Sequence, residues 1–347
     1  MKILFVGVLN SRASMDWHRC DALRRLGHEV AELDQSPLTG PGHVRRFLRY
    51  IDGHPFKAES VARLNAQLLT AVLTERPRIV WIEKGLTVKA ETLLRIKTEN
   101  PDLGFVSYQD DNPFGERRYE RPFWSNFVDC IPNYDLHFVK RLTDVAEFKS
   151  RGARRVEIFM NGFSESFFGD VPATQPTGHR YPISFLGTRI DDRGALITKL
   201  MLRYRLDIHV YGQRWNRCLG YYVCRGRFHG AFAAERYAEI VRASKINLGF
   251  VSFSNRDEYT GRSLDIPAAG GFLLTWRTPV HQALYREGVE AEFFSDVSEL
   301  VKKCRYYLKH EDERQSIAAA GFARSRRDDY SLTQSMRKAI RLTQDIT

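Results

Sequence analysis

The chain has 347 residues and a formal charge of +11, from 53 Lys and Arg against 42 Asp and Glu. Hydrophobic residues make up 43% and charged residues 27%, a balance that builds cores and excludes a disordered chain. At roughly 150 residues per domain the length suggests two domains, and no apolar run approaches the roughly 18 residues of a membrane-spanning helix.

The opening segment, Met1 to Asn10, has one Lys, an apolar run and no small-residue cleavage site after it. It reads as a buried first strand, Ile3–Val6, and not as a signal peptide. A helix is expected next, with Asp16 near its N-cap and Gly27 at its end. Gly27–Val30 begins a second strand. Val61, Leu64, Leu68 and Val72, spaced by three and four, form one buried stripe of a helix. Pro77 ends that region, and Ile79–Ile82, Phe105–Tyr108, Leu136–Val139 and Val156–Phe159 follow as strands. Alternating strands and helices predict a doubly wound parallel sheet over residues 1–163.

Residues 164–180 are rich in turn formers and lack an apolar period, so they read as a linker. The alternation then restarts over 181–330, with strands expected at Ile183–Leu186, Ile208–Tyr211, Ile246–Val251 and Phe272–Leu274. Tyr237, Ile240 and Val241 give a helix its apolar face. The tail, 331–347, reads as helical, with Met336 and Ile340 one turn apart, and as crossing back to the first domain. The five cysteines are odd in number, scattered and without a CxxC pair, which argues against structural zinc and a disulfide framework and for a reduced, cytosolic setting. Charge is uneven: residues 1–170 carry 25 basic and 23 acidic residues, so the remainder carries the excess. That basic second half suits a nucleotide, a polyanion or a peripheral contact with a membrane surface, or is simply a solvated Arg-rich face. No nucleic-acid motif is present, so no such partner is expected.

Ligands of open α/β sheets bind beyond the carboxyl ends of strands, which directs attention to strand-end loops. Gly7 to Arg12 does not match GxGxxG, which disfavours a dinucleotide enzyme. Its polar Asn10 and Ser11 remain compatible with substrate contact. Asp110 and Asp111 stand at the end of a strand, before Asn112-Pro113. They serve as a general base if burial raises one pKa, or form an ordinary turn. In the second half Gly187, Thr188 and Arg189 end a strand, with Arg193 close behind. The glycine permits close approach to a phosphate that the arginines can bind. The segment from Asp257 through Tyr259, Gly261-Arg262-Ser263 and Asp265 to Leu274 lies between two strands. Arg262–Ala269 should include a short helix whose N-terminus, with Arg262, makes an anion site. Asp265 inside it is placed to accept hydrogen bonds from a ribose diol. The alternative is a surface Arg262 paired with Asp257 or Asp265.

The segment Asp257 to Leu274 resembles the donor-nucleotide motif of GT-B glycosyltransferases, above all the spore-maturation CgeB-like branch. Ala243–Leu248, Glu299 to Leu308 and Glu313 through Gly321 resemble the same branch. Tyr134-Asp135-Leu136 and Asn161-Gly162-Phe163 resemble the close of a GT-B first domain. The resemblance implies two facing Rossmann-like domains with a cleft between them, an acceptor domain first and a nucleotide-sugar donor domain second. It implies no bound cofactor and no metal, although Asp110-Asp111-Asn112 also resembles the acidic metal motif of another glycosyltransferase fold class. Asp257 and Asp265 keep the spacing of paired acidic residues in retaining GT-B enzymes, with Asp for Glu. Arg262 takes the position facing the diphosphate and Gly187 that of the diphosphate-side glycine. The expected activity is transfer of a sugar from a nucleoside diphosphate to a hydroxyl acceptor. A nucleotide-sugar epimerase and a non-catalytic nucleotide- or glycan-binding protein are the rival readings.

Overall fold

The computed structural model describes residues 1–36, 56, 58–115, 121–168 and 178–346. They gather into two compact units, Met1–Asn161 with Leu332–Thr347, and Gly162–Ser331. The first unit holds β1 (Lys2–Gly7), β2 (Glu29–Asp34), β3 (Ile79–Glu83), β4 (Gly104–Gln109), β5 (Leu136–Val139) and β6 (Val156–Ile158). The strands pair in parallel, in the order β2-β1-β3-β4-β5-β6. β3, β4 and β5 are buried along their whole length, which explains the apolar run Ile79–Ile82, while the buried Ser107 of β4 and His137 of β5 bond each other.

Helices fill both faces of this sheet. Helix Ala58–Glu75 buries Val61, Leu64, Leu68 and Val72, the stripe expected from spacing. Helix Met15–Arg25 is capped by Ser14, whose hydroxyl accepts from the Asp16 amide. Asp16 instead turns back to accept from the Val8 amide at 2.8 Å. Gly27 ends this helix at φ +80°, a conformation glycine adopts without strain. Helix Leu332–Leu342 packs Leu332, Met336 and Ile340 into the same core as Cys20 and Leu23, so the tail is part of the first unit.

The second unit holds β7 (Tyr181–Leu186), β8 (Ile208–Tyr211), β9 (Ser244–Gly249), β10 (Leu273–Trp276) and β11 (Glu292–Phe294). All pairs are parallel, in the order β11-β10-β9-β7-β8. β11 has no counterpart in the sequence reading. It is three residues long, and its first, Glu292, is a buried carboxylate held by Tyr307 and Lys303. The apolar signal is therefore only two residues. Of the stretch read as a linker, residues 169–177 lie outside the described residues. Its beginning is ordered: Glu165–Phe168 is helical, and Phe168 packs on Phe163 and Tyr237 in the second unit's core.

Both strand orders reverse direction once. β1 lies between β2 and β3, and β7 between β8 and β9. Each reversal opens a crevice at the carboxyl ends of the two strands, β1/β3 and β7/β9, where open α/β sheets place ligands.

A buried ion pair fixes the first crevice. Arg19 forks onto Glu83 at the end of β3, with Nε and Nη2 each 2.8 Å from a carboxylate oxygen. The same guanidinium reaches Asp16 and Asn161, both at 3.1 Å, and lies over the Tyr108 ring. Burial pushes the Glu83 carboxyl up to about 7, against the pull of Arg19. Arg19→Met strands that carboxylate in the core and should cost about 3–5 kcal/mol in denaturant unfolding. Adding Glu83→Gln to the same chain should recover part of the loss.

Candidate active site

The β7/β9 crevice of the second unit is built on close backbone approach. Gly187, just past β7, donates its amide to Tyr211 O at 2.8 Å and accepts from Trp215 Nε1 at 2.9 Å. Gly212, past β8, has φ +136°, and a Cβ there would stand 2.2 Å from Gly187 O. A Cβ on Gly187 would stand 2.9 Å from Arg262 Nη1. Glycine at 187 therefore lets an arginine lie against the strand end.

Two arginines converge there. Arg262, in the first turn of helix Gly261–Ala268, donates Nη2 to Phe250 O at 2.8 Å and Nη1 to Leu186 O at 3.3 Å. Arg193, at the start of helix Arg193–Leu202, donates Nη2 to the same Phe250 O at 3.1 Å and Nη1 to Thr188 O at 3.3 Å. Both guanidinium groups lie over the Phe185 ring, at 5.3 and 5.7 Å. Burial lowers the Arg262 pKa, opposed by Tyr237, Asp257 and Asp265. Among the described residues no carboxylate comes within ion-pair distance of Arg262, and its buried Nε has no hydrogen-bond partner. The surface-pair alternative for Arg262 is thus not what the structure holds.

Asp265 follows one turn later, its Oδ2 leaning toward Gly261. Burial pushes its carboxyl up to about 7, with Arg262 pulling the other way. The buried Tyr237 hydroxyl stands within its field and lacks a hydrogen-bond partner among the described residues. Asp257 sits in the preceding loop, accepting from Asn255 Nδ2 at 3.1 Å. The crevice therefore presents a cation, a titratable carboxyl and a buried hydroxyl around a helix N-terminus.

In the first unit, Asp110 and Asp111 follow β4 as expected, but a cation meets them. Lys84 Nζ lies 3.3 Å from Asp110 Oδ1 and 2.6 Å from Asp111 Oδ2. Burial would raise the Asp110 pKa, yet Lys84, Arg19 and Lys140 together hold it below the usual carboxylate range. The raised pKa that base catalysis would need is absent. Lys84, Asp110, Asp16, Ser14, Thr87 and Val8 line a cavity of about 430 Å³ at the β1/β3 crevice. Asn10 and Ser11 are exposed in the loop after β1, outside that lining.

Residues 193–341 match a family model described as glycosyl transferase-like. No curated protein sequence matches the chain. Solved structures match along its whole length. Sucrose-phosphate synthase from Thermosynechococcus elongatus superimposes with TM-score 0.69 at 12% identity, over 100% of this chain and 99% of that one. The Anabaena protein HepE in complex with UDP-glucose gives 0.66 at 13% identity, over 99% of each chain. A trehalose-6-phosphate synthase studied for glycosyl transfer with retention gives 0.62 at 13% identity, over 100% of each. The fold is GT-B. Residues 193–341 carry a glycosyl transferase-like sequence pattern, and the chain has this fold over its whole length.

Within this GT-B chain the structure gathers Gly187, Thr188, Arg193, Arg262 and Asp265 at one crevice. Other expected residues are turned away from it. Ser263 is buried, accepts from the Thr260 amide and bonds His281 Nε2 at 2.7 Å, so its hydroxyl is used in holding the helix. Tyr259 is buried in the core with Leu264 and Ile266. Arg189 lines a separate cavity with Arg203 and Arg217. The sequence reading passed over Lys84 and Tyr237. Lys84 stands directly after an unbroken apolar strand, a signal that was available, whereas Tyr237 reads only as one member of a helix face. Gly212→Ala should lower stability by about 1–3 kcal/mol in thermal or denaturant unfolding, because its backbone conformation is nearly glycine-only and its Cβ meets Gly187.

Proposed function

We propose that the chain transfers a sugar from a nucleoside diphosphate to a hydroxyl of a glycan, lipid or other acceptor, without a metal ion. The observation that carries this reading is the convergence of Arg193 and Arg262 on one carbonyl beside Gly187 and a helix N-terminus. A neutral carbonyl does not neutralise the Arg262 guanidinium, and an incoming diphosphate would. The matching structure with bound UDP-glucose supports a nucleotide-sugar donor. In this reading the second unit takes the donor and the first, with Asp110, Asp111, Asn10 and Ser11, the acceptor. The chain passes from the first unit to the second at Asn161–Gly162 and returns at Ser331–Leu332. The motif after Asp257 supports the CgeB-like branch of GT-B, and the cysteine pattern a cytoplasmic setting.

As the acceptor oxygen bonds to the anomeric carbon, the bond from that carbon to the diphosphate oxygen breaks. Negative charge grows on the departing diphosphate oxygen, and the acceptor hydroxyl proton passes to that oxygen. Arg262, the helix amides and Arg193 stand where that charge develops, a role that stabilises the transition state more than the ground state. Asp265 accepts hydrogen bonds from the ribose hydroxyls. Retention is the preferred course. The Asp257/Asp265 spacing supports it, and the lowered pKa of Asp110 makes that carboxylate a weak base for the inverting route.

Arg262→Ala should lower turnover by about 100-fold or more, with about 1.5–3 kcal/mol lost in stability, since its two carbonyl contacts are hydrogen bonds to a charged group. Lysine at this position should rescue partly, since a point charge lacks the planar fork. Turnover within a few-fold of wild type in Arg262→Ala would move the donor elsewhere. In the same assay a chelator should leave activity unchanged, and donor should be consumed only with acceptor present. Consumption without acceptor would favour the epimerase. Nucleoside diphosphate binding with no consumption would favour the binding protein.

Asp265→Ala should weaken nucleoside diphosphate binding by about 1.5–3 kcal/mol, as loss of hydrogen bonds to a charged group does. Because burial raises the Asp265 carboxyl to about 7, its charged form becomes populated as pH rises through neutrality. Wild-type affinity should therefore rise between pH 6 and pH 8 by more than that of Asp265→Asn. Calorimetry on both proteins cancels the ligand's own titration. Superimposable pH profiles would exclude Asp265 from the ribose.

A further inference from the structure

Between Lys199 and Arg227 the sequence holds seven Lys or Arg and one acid, Asp207, which is already paired with Arg227 at 2.7 Å. Half or more of the +11 of the chain thus falls in one short stretch of the second unit. Lys199, Arg203 and Arg217 are exposed and, with Arg189, line a cavity of about 500 Å³ that has no acidic residue in its wall. Leu202 and Leu219 line it too.

Beside this cavity the short helix Leu219–Val223 is turned with its apolar side outward. Leu219, Tyr222 and Val223, at i, i+3 and i+4, are 64%, 69% and 58% exposed. The reason lies on the opposite side. Gly220 is buried, its amide donates to Thr198 Oγ1 at 3.1 Å, and a Cβ there would come within 2.6 Å of that oxygen. The small residue seats the helix, and the large ones are left in water. Leu202 adds a fourth exposed apolar side chain at 41%. Scattered single exposures are ordinary, but a helix face of this kind ringed by arginines is a contact surface.

We propose that this face docks onto an anionic lipid bilayer, with a phospholipid phosphate entering the cavity between Lys199, Arg203 and Arg217. Leu219, Tyr222 and Val223 enter the boundary between headgroups and acyl chains. Charge complementarity selects the occupant: every charged residue of the wall is a cation, as an anionic headgroup layer requires. The apolar contribution separates a membrane from a nucleic acid. Leu202, Leu219 and Val223 are aliphatic and partition into acyl chains, and the exposed Tyr222 ring suits the headgroup boundary, whereas a nucleic acid would find only that one ring to stack on. Neither Arg262 nor Phe250 lines this cavity, and the proposal holds whether or not the chain transfers sugar.

The test is co-sedimentation of the full chain with phosphatidylcholine vesicles, with and without phosphatidylglycerol. Wild type should bind only the anionic vesicles, and less in high salt. Leu219→Ser with Val223→Ser, and Arg203→Glu with Arg217→Glu, should each weaken binding by about tenfold or more. All four positions are exposed, so melting temperature and nucleoside diphosphate affinity should stay at wild-type values. Retained donor affinity in vesicle-deficient variants separates this result from failure of the donor site. Equal binding to both vesicle types, or wild-type vesicle binding by either variant, would overturn the proposal. So would binding of glycerol phosphate or RNA by a chain that binds no vesicles, since it would identify a soluble phosphate or a nucleic acid as the occupant.

Discussion

The carbonyl oxygen of Phe250 accepts from Arg262 at 2.8 Å and from Arg193 at 3.1 Å, and the second unit's crevice is arranged around that shared acceptor. Two cations held close together repel, and a carbonyl dipole offsets only part of that repulsion. The Phe185 ring beneath them contributes its negative face. Asp257 and Asp265 add a negative field at Arg262. An anion placed there meets donors already aimed and pays little to organise them.

That arrangement imposes demands further out. The arginines reach Phe250 from two different helices, so both helices must start at the same sheet edge. This follows from β7 standing between β8 and β9, which opens the sheet at that point. Arg262 can lie against the end of β7 because Gly187 has no side chain, and Gly187 can sit where it does because Gly212 has none. Each glycine clears room for the next group inward. The first unit repeats the plan with other chemistry. At its own reversal, Lys84 is set between Asp110 and Asp111, while Arg19 and Glu83 form a buried pair behind them. There both cations are met by carboxylates of the protein itself, Lys84 by Asp110 and Asp111 and Arg19 by Glu83 and Asp16.

Much of the fold was legible because parallel strands buried on both faces leave unbroken apolar runs, as at Ile3–Val6 and Ile79–Ile82. β11 was not, because a buried Glu292 removes the first residue of its signal. At the site, Arg262, Gly187 and Arg193 were legible as strand-end glycine and helix-start cations. Ser263 and Tyr259 were misread for a common reason. Their side chains are polar or aromatic and stand in the right segment, but direction within a turn decides what they touch. Ser263 turns to His281 and Tyr259 into the core.

The sequence by itself determined the two α/β units, the tail helix and the segment that carries Arg262 and Asp265. Hydrophobic period and local turn chemistry are written in consecutive residues, and no distant partner is needed to read them. The tertiary structure alone decided which strand lies beside which, and with it that Phe250 receives both arginines, that Lys84 rather than solvent meets Asp110, and that Arg189 faces a different cavity. Those outcomes rest on contacts between residues far apart in the chain, where charge and burial are set by neighbours that no local pattern names. The direction of the pKa shifts at Asp110 and Asp265 follows the same rule, one lowered by Lys84 and other cations against burial, the other raised by burial against Arg262.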